Sequence, residues 1–217
     1  LPWFPQGSVE PARLAWLWPV TTVPDRALDG VQLNELTAAE MAAGGRLSRI
    51  VNGAGASRIT WVFDPNTLQT AEDMVDGYTV TGGQEPTIGG GGPAAQEWLD
   101  AVRRSAATQE SVATAYALPD ATALERAEMG ETVIVATERA AADVSAGVRS
   151  RVEDVLAWPT GGNTTPATMR LFREAGATQM LLSDTSFPPT PSLTYTPDGF
   201  TTWGGLEVTL ADSGLTA

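Results

Sequence analysis

The segment Ile59-Thr60-Trp61-Val62-Phe63-Asp64-Pro65 decides the fold class of this chain. Its β-branched and aromatic residues predict a buried strand over 59–63. Asp64 followed by Pro65 is typical of a helix start, with an Asp cap and a proline in the first turn, and the helical pattern continues towards Met74. A strand that runs directly into a helix is one βα unit of a parallel α/β fold.

The same strand–helix order recurs along the chain. Seven strands are predicted, at 14–17, 59–63, 112–116, 132–136, 155–157, 179–182 and 206–210. Helices are predicted between them, and Thr37 with Glu40 forms a capping-box pattern for the first. Repeated βα units imply a mostly parallel sheet and favour a seven-stranded (β/α) barrel or partial barrel. The length of 217 residues suits a single domain over 1–217. Because the chain stops at Ala217, soon after a strand and without a closing helix, we expect the barrel to be truncated at its C-terminus.

Residues 79–93 contain six glycines and no periodic apolar pattern, which predicts a flexible surface loop. The run Gly89–Gly92 offers backbone that a phosphate could approach closely. The lysine of a phosphate-binding loop and the spaced glycines of a dinucleotide site are both missing, however. We therefore interpret the segment as a loop and not as a nucleotide site.

Composition excludes several classes of function. The 217 residues carry 26 acidic and 13 basic side chains, all of them Arg, for a net charge of -13, so no nucleic-acid partner is expected. The chain has no His, Cys or Lys, which excludes histidine-based triads, thiol nucleophiles, typical zinc sites and Schiff-base chemistry. No metal or other cofactor is predicted. Enzymatic activity is left open, since any catalysis must rest chiefly on carboxylates, Tyr or Arg.

Four acidic residues that follow predicted strands are the candidate catalytic groups: Asp64, Asp120, Glu138 and Asp184. Ligands of parallel α/β folds bind at the carboxyl ends of the strands. Glycosidic bond cleavage needs two carboxylates about 5–9 Å apart, one as acid and one as base or nucleophile. The alternative is structural, because Asp64 and Asp120 stand where helix caps are expected, Glu138 suits a helix dipole and Asp184 suits a turn.

Three aromatic residues are candidates for ligand binding. Trp18 and Trp158 each precede a proline at a predicted strand end, and Tyr116 lies at the same predicted rim. Because sugar C–H groups stack on aromatic faces, these rings favour a glycan as the ligand. The alternative is that the indoles close the top of the core.

Three arginines follow the first predicted helix. Arg46, Arg49 and Arg58 are suited to grip a phosphate or the pyrophosphate of a lipid-linked precursor. The alternative is that they form solvated ion pairs, which contribute little to stability.

Several motifs near strand ends occur in a characteristic order. They are Leu14-Ala15-Trp16-Leu17-Trp18-Pro19, Gly44-Gly45-Arg46-Leu47, Thr60-Trp61-Val62-Phe63-Asp64-Pro65, Trp98-Leu99, Tyr116 to Asp120, and Ala157-Trp158-Pro159 followed by Leu171 and Ala175-Gly176-Ala177. In this order and spacing they resemble an uncharacterised actinobacterial envelope family, over roughly Arg13 to Asp184. That family is more distantly similar to the glycoside hydrolase and polysaccharide deacetylase superfamily of seven-stranded (β/α) barrels.

The resemblance implies a setting for the chain. Members of the envelope family are typically exported, with a membrane anchor after the soluble part, and their genes commonly lie beside that of the lipid II flippase. This implies an extracytoplasmic place in the cell envelope, with a glycan, a lipid-linked cell-wall precursor or a membrane protein such as that flippase as partner.

The chain also departs from both patterns. It lacks the His-x-x-x-His pair of the deacetylases, and it carries Leu118 where the envelope family tends to have an aspartate. The favoured hypothesis is therefore a non-catalytic or degenerate domain that binds glycan or a protein partner in peptidoglycan assembly. The alternatives are a carboxylate-dependent glycoside hydrolase and a structural spacer.

Overall fold

Parallel strands, arranged in the order of the chain, form the centre of the molecule. The computed structural model describes residues 14–27, 30–55, 57–82, 85–186 and 198–216. The strands are β1 Leu17–Val20, β2 Thr60–Phe63, β3 Thr79–Val80, β4 Thr87–Ile88, β5 Glu110–Ala113, β6 Leu156–Ala157, β7 Gln179–Ser183, β8 Phe200–Trp203 and β9 Leu206–Ala211. The helices are α1 Leu36–Met41, α2 Arg46–Gly53, α3 Pro65–Asp76, α4 Gly92–Ala106, α5 Ala121–Arg126, α6 Gly130–Glu138, α7 Ala140–Val148 and α8 Pro166–Glu174, with short 3-10 turns at Thr160–Gly162 and Asp184–Ser186.

Two sheets carry the parallel pairing. The first has the order β1-β2-β5, and the second has the order β6-β7-β9-β8, in which only β8 is antiparallel to its neighbour. A single parallel bridge between Ala113 and Val155 links β5 to the start of the second sheet. The predicted α/β class with a mostly parallel sheet is confirmed. Among the residues that the structure describes, β1 does not pair with β8 or β9, so these strands do not close the sheets into a barrel.

One of the seven predicted strands is wrong. Residues 132–136 lie inside helix α6, and not in a strand. The run Val133-Ile134-Val135 has high strand propensity, but its burial follows a helix: Val133 and Thr137 are fully buried while Val135 is 62% exposed. Packing of the i and i+4 face therefore overrides the weak preference of β-branched residues for strands.

Other boundaries also move. β1 begins at Leu17, and not at Leu14, which is 61% exposed. β5 ends at Ala113, so Tyr116 belongs to the loop after it. The capping box predicted for the first helix is absent, because α1 begins at Leu36 and the Thr37 hydroxyl donates a hydrogen bond to Asp25 instead, at 3.0 Å.

The core lies on both faces of the parallel strands. On the helix side, Trp61 and Phe63 are buried with their ring centroids 5.7 Å apart. The intervening Val62 faces the other way and packs in a smaller cluster with Val112 and Leu156. This alternation is what a strand buried on both faces requires. Deleting a side chain as large as Trp61 from such a site costs about 3–5 kcal/mol.

The glycine-rich segment contains regular secondary structure. It contains the antiparallel pair β3–β4 and the first turn of α4, while Gly83 and Gln84 lie outside the described residues. The Gly89 and Gly91 amides donate to the carbonyl and the hydroxyl of Tyr78, both at 2.9 Å, and the Gly90 amide donates to Glu35 at 3.1 Å. A Cβ at Gly89 would come within 2.2 Å of the Tyr78 ring, so close packing against that ring requires glycine.

Candidate functional site

Asp64, at the carboxyl end of β2, is a buried helix cap. Its Oδ1 accepts from the backbone amides of Asn66 at 3.0 Å and Ala117 at 2.9 Å, and its Oδ2 accepts from the Thr67 hydroxyl at 3.0 Å. The residue is 1% exposed, and this burial raises the pKa of the Asp64 carboxyl. The Asp64 carboxylate therefore connects the start of α3 to the loop that follows β5.

That loop has strained backbone where it meets Asp64. Ala117 and Leu118 have φ angles of 59° and 44°, in the left-handed region that residues with a Cβ rarely occupy. The hydrogen bond from the Ala117 amide to Asp64 is one of the contacts that hold this conformation. Strained loops of this kind occur mainly where a side chain must be held in a fixed place. Here the residue just before the strained pair is Tyr116.

The other three candidate carboxylates have surroundings that differ from those of Asp64. Asp120 is exposed and caps α5 by accepting from the Ala123 amide at 3.0 Å. Glu138 is the exposed last residue of α6 and so does not follow a strand. No two of the four side chains share a hydrogen-bond partner within the described ranges.

Asp184 follows β7 as predicted, and its carboxylate binds Ser213, which follows β9. Its Oδ2 accepts from the backbone amide and the hydroxyl of Ser213, each at 3.2 Å, and these hydrogen bonds lower the pKa of Asp184. Its Oδ1 is buried without a hydrogen-bond partner in the part of the chain that the structure describes.

The two candidate tryptophans take part in packing. The Trp18 indole donates to the carbonyl of Ile50 in α2 at 3.0 Å and packs against the main core. Trp158 packs against the smaller cluster that contains Val62 and Leu181. Both rings are half-buried, and each lies on a different face of the strands.

Arg46, one of the three candidate phosphate ligands, already has a carboxylate partner. Its Nε and Nη2 donate to Glu40 at 2.8 Å and 2.6 Å, and Nη2 also donates to the carbonyl of Thr21 at 2.7 Å. This pairing lowers the pKa of Glu40. Arg49 donates to the carbonyl of Gly44 at 2.7 Å. Arg46 thus matches the ion-pair alternative, whereas Arg49 bonds to a backbone carbonyl and forms no ion pair with a described residue.

Tyr116 is the one predicted site residue that lines a large groove. The groove has a volume of about 730 Å³ and lies between α3, α6 and α7. Its lining consists of Pro65, Leu68, Val135, Ala136 and Ala146 as apolar residues and Gln69, Glu72, Tyr116, Glu131, Thr132, Arg139 and Asp143 as polar ones. A concave surface that combines apolar and polar side chains is a common form of a ligand site, and here the polar side chains are in the majority.

Tyr116 connects both walls of this groove. Its backbone amide donates to the carbonyl of Ala136 in α6 at 2.7 Å, and its hydroxyl donates to Oε1 of Gln69 in α3 at 3.0 Å. Burial raises the pKa of Tyr116, so the hydroxyl stays protonated at neutral pH and keeps this donor role. The backbone bond holds the loop against α6 and the hydroxyl bond orients the ring towards α3, and a ring oriented before a ligand arrives lowers the entropic cost of binding.

Charged side chains at the rim of the groove form partial ion pairs. Glu72 accepts from Arg103 at 2.9 Å, and Arg139 lies 3.2 Å from Asp143 in the next turn of α7. Arg139 is 81% exposed, so its pair with Asp143 is weak. Glu131 is exposed and has no ion-pair partner in the described part of the chain.

Comparisons with known proteins place the chain in a family. The family described as "Family of unknown function (DUF6049)" matches residues 4–217. The chain belongs to this family. A search among curated proteins gave no match. Among solved structures, the 4-alpha-glucanotransferase from Thermococcus litoralis is similar, with a TM-score of 0.57 and 15% identity, over 93% of this chain and 28% of that chain.

This likeness bears on the fold of the DUF6049 domain and not on its activity. At 15% identity it agrees, at the level of fold, with the predicted similarity to glycoside hydrolase barrels. The domain spans only 28% of the length of that enzyme. In the described ranges of the domain, no group of three or more acidic residues is placed to hold a metal ion, and no helix is long and apolar enough to cross a bilayer.

Sequence reasoning missed most of the groove of the DUF6049 domain. Gln69 and Glu72 lie on the helix that was predicted after Asp64, but nothing marked their face as functional. The sequence does not place Glu131 and Val135 on one helix face, because it predicts a strand over 132–136. The signal that finds them is helical spacing from Val133 to Thr137, which places Val135 on the outer face.

Proposed function

We propose that this DUF6049 domain is a non-catalytic carbohydrate-binding domain of the bacterial cell envelope, and that the groove beside Tyr116 is its binding site. The main support is the position of Tyr116 relative to the four predicted catalytic carboxylates. Tyr116 lines the groove, whereas none of the four predicted catalytic carboxylates does. Asp64, Asp120 and Asp184 each accept hydrogen bonds that hold local structure.

The groove lining suits a sugar. A sugar ring has one face of C–H groups, which pack on an aromatic ring or on an exposed aliphatic side chain such as Val135. Its hydroxyls need partners around the edge, and the Gln69 amide with the Glu72 and Glu131 carboxylates supplies donors and acceptors there. The hydrogen bond from the Tyr116 hydroxyl to Gln69 orients the ring, and the bond from its backbone amide to Ala136 holds the loop, so the ring provides a platform for stacking.

The position in the fold supports the same proposal. Pro65 follows the carboxyl end of β2, and Tyr116 follows the carboxyl end of β5, so the groove lies beside the end of the sheet where ligands of parallel α/β folds bind. We propose that the two sheets are parts of an incomplete (β/α) barrel, in line with the fold-level likeness to a glucanotransferase. The resemblance of the chain to exported envelope proteins motivates placing this activity outside the cytoplasm, in cell-wall assembly.

The experiment is calorimetric titration of the domain with soluble peptidoglycan glycan fragments. Tyr116→Ala removes the platform, and we expect affinity to fall about tenfold, since aromatic contacts at binding sites contribute on the order of 1–2 kcal/mol. Phe200→Ala is the matched control, because Phe200 is an aromatic residue that is 66% exposed and lies outside the groove. Equal loss in both variants, or no binding by the wild type, would contradict the proposal.

The same samples test the alternative of hydrolysis. Mass spectrometry of the glycan after incubation reports any bond cleavage. Turnover by the wild type that disappears in an Asp64→Asn, Asp120→Asn double variant, while circular dichroism shows that this variant is still folded, would establish a carboxylate-dependent glycoside hydrolase. Intact glycan under all conditions, together with binding, is the result that the proposal predicts.

A further inference from the structure

We infer that the groove binds glycans that carry free ammonium groups, such as oligomers of glucosamine, more tightly than their N-acetylated counterparts. This rests on the proposed function and adds a substrate class to it. The groove itself supplies the site, and the charges of its rim supply the selectivity. Three of its lining side chains are acidic, Glu72, Glu131 and Asp143, and one, Arg139, is basic.

The ion pairs around the groove leave the rim acidic. Arg103 pairs with Glu72 at 2.9 Å and donates from its Nε to the carbonyl of Gly147 at 2.9 Å, so it offsets the charge of Glu72 and leaves Asp143 and Glu131 as the acidic groups that set the charge of the rim. Arg139 neutralises Asp143 only partly, since the pair is an exposed i,i+4 contact at 3.2 Å. Glu131, without an ion-pair partner among the described residues, adds a further negative charge to the lining of the groove.

The charge of the whole chain acts in the same direction. A net charge of -13 places the groove in a negative potential, which attracts cations and repels phosphate or pyrophosphate groups. An ammonium on a sugar ring can donate three hydrogen bonds to rim carboxylates while the C–H face of the same ring packs on Tyr116. N-acetylation removes that charge, and a lipid-linked pyrophosphate reverses it. A glycan strand is therefore favoured over the pyrophosphate end of a lipid-linked precursor.

The test compares a glucosamine trimer with its N-acetylated counterpart in calorimetric titrations at about 20 mM and 300 mM salt. We expect the free amine form to bind about threefold to tenfold more tightly at low salt, and the difference to shrink at high salt as charges are screened. Glu131→Gln should reduce the preference by about twofold to fivefold. Glu97→Gln, an equivalent neutralisation of an exposed glutamate on α4 outside the groove, should leave it unchanged.

The outcomes separate this inference from the function on which it rests. Binding of neither trimer, nor of peptidoglycan fragments, would overturn the proposed function itself. Equal or tighter binding of the N-acetylated trimer would overturn the inference and leave glycan binding intact. Equal effects of Glu131→Gln and Glu97→Gln would show a preference that arises from net charge and not from the groove. Tighter binding of a basic peptide than of either trimer, lost in Glu131→Gln, would assign the groove to a protein partner and overturn the inference.

Discussion

Asp64 and the groove beside Tyr116 lie at the same end of the sheet, yet they use polar groups in opposite ways. The Asp64 carboxylate is 1% exposed and accepts three hydrogen bonds from its own chain. The rim of the groove keeps carboxylates such as Glu131 exposed and without an ion pair among the described residues. The first arrangement stabilises the fold, and the second leaves polar groups available to a ligand.

The largest expected effect comes from Asp64→Ala. It leaves two backbone amides and the Thr67 hydroxyl without their acceptor in a buried place, so we expect a loss of about 2–4 kcal/mol in the free energy of unfolding. Urea denaturation followed by circular dichroism measures it. Asp64→Asn keeps one acceptor oxygen and should lose less. A loss below about 0.5 kcal/mol for Asp64→Ala, a typical surface value, would contradict a structural role for the carboxylate.

The sequence predicts the Asp64 cap but not the groove, because the cap depends on adjacent residues and the groove on residues far apart in the chain. The Asp64 cap follows from Asp64-Pro65 after a strand, because capping depends on adjacent residues, and the structure confirms it. The hydrogen bond to Ala117 joins residues far apart in the chain and has no local signature. Strand order alone places Tyr116 at the rim. The groove also needs helix α6, and the β-branched residues of α6 favour a strand in the sequence, so the sequence does not predict the groove.

The pH dependence of stability gives a second test of the buried carboxylate. Burial raises the folded-state pKa of Asp64, while an unfolded Asp titrates near 3.9. Between the two pKa values the folded chain keeps a proton that the unfolded chain has lost, so the free energy of unfolding falls as pH rises. We expect the wild type to lose stability relative to Asp64→Asn as pH is raised above about 4. A relative gain over that window in urea denaturation would show that the hydrogen bonds outweigh burial.

The strained loop that presents Tyr116 should show a smaller effect. Ala117→Gly relieves a φ angle of 59°, so we expect the free energy of unfolding to rise by about 0.5–1 kcal/mol. Ala123→Gly is the matched control, since Ala123 is an exposed helical residue of α5 and glycine should destabilise it by a similar amount. Thermal unfolding of both variants gives the comparison. Destabilisation by Ala117→Gly as large as that of the control would mean that the loop is not strained.

The smallest effects are expected at two predicted catalytic positions outside the groove. Asp120→Asn and Glu138→Gln alter exposed side chains that do not line it, so glycan affinity should stay within about twofold of the wild type. Calorimetric titration of both variants checks this, with Tyr116→Ala measured alongside. A loss as large as that of Tyr116→Ala in either variant would move the binding site away from the groove.

The most direct test of the account is a titration of the isotope-labelled domain with a soluble peptidoglycan glycan fragment, followed by NMR chemical shifts. We expect the largest shift changes at the backbone amides of residues that line the groove, among them Gln69, Tyr116, Val135 and Ala146. Those of Trp18, Trp158 and Asp184 should stay nearly constant. Shift changes centred on these three residues, or no changes at millimolar glycan, would contradict the assignment of the groove as the binding site.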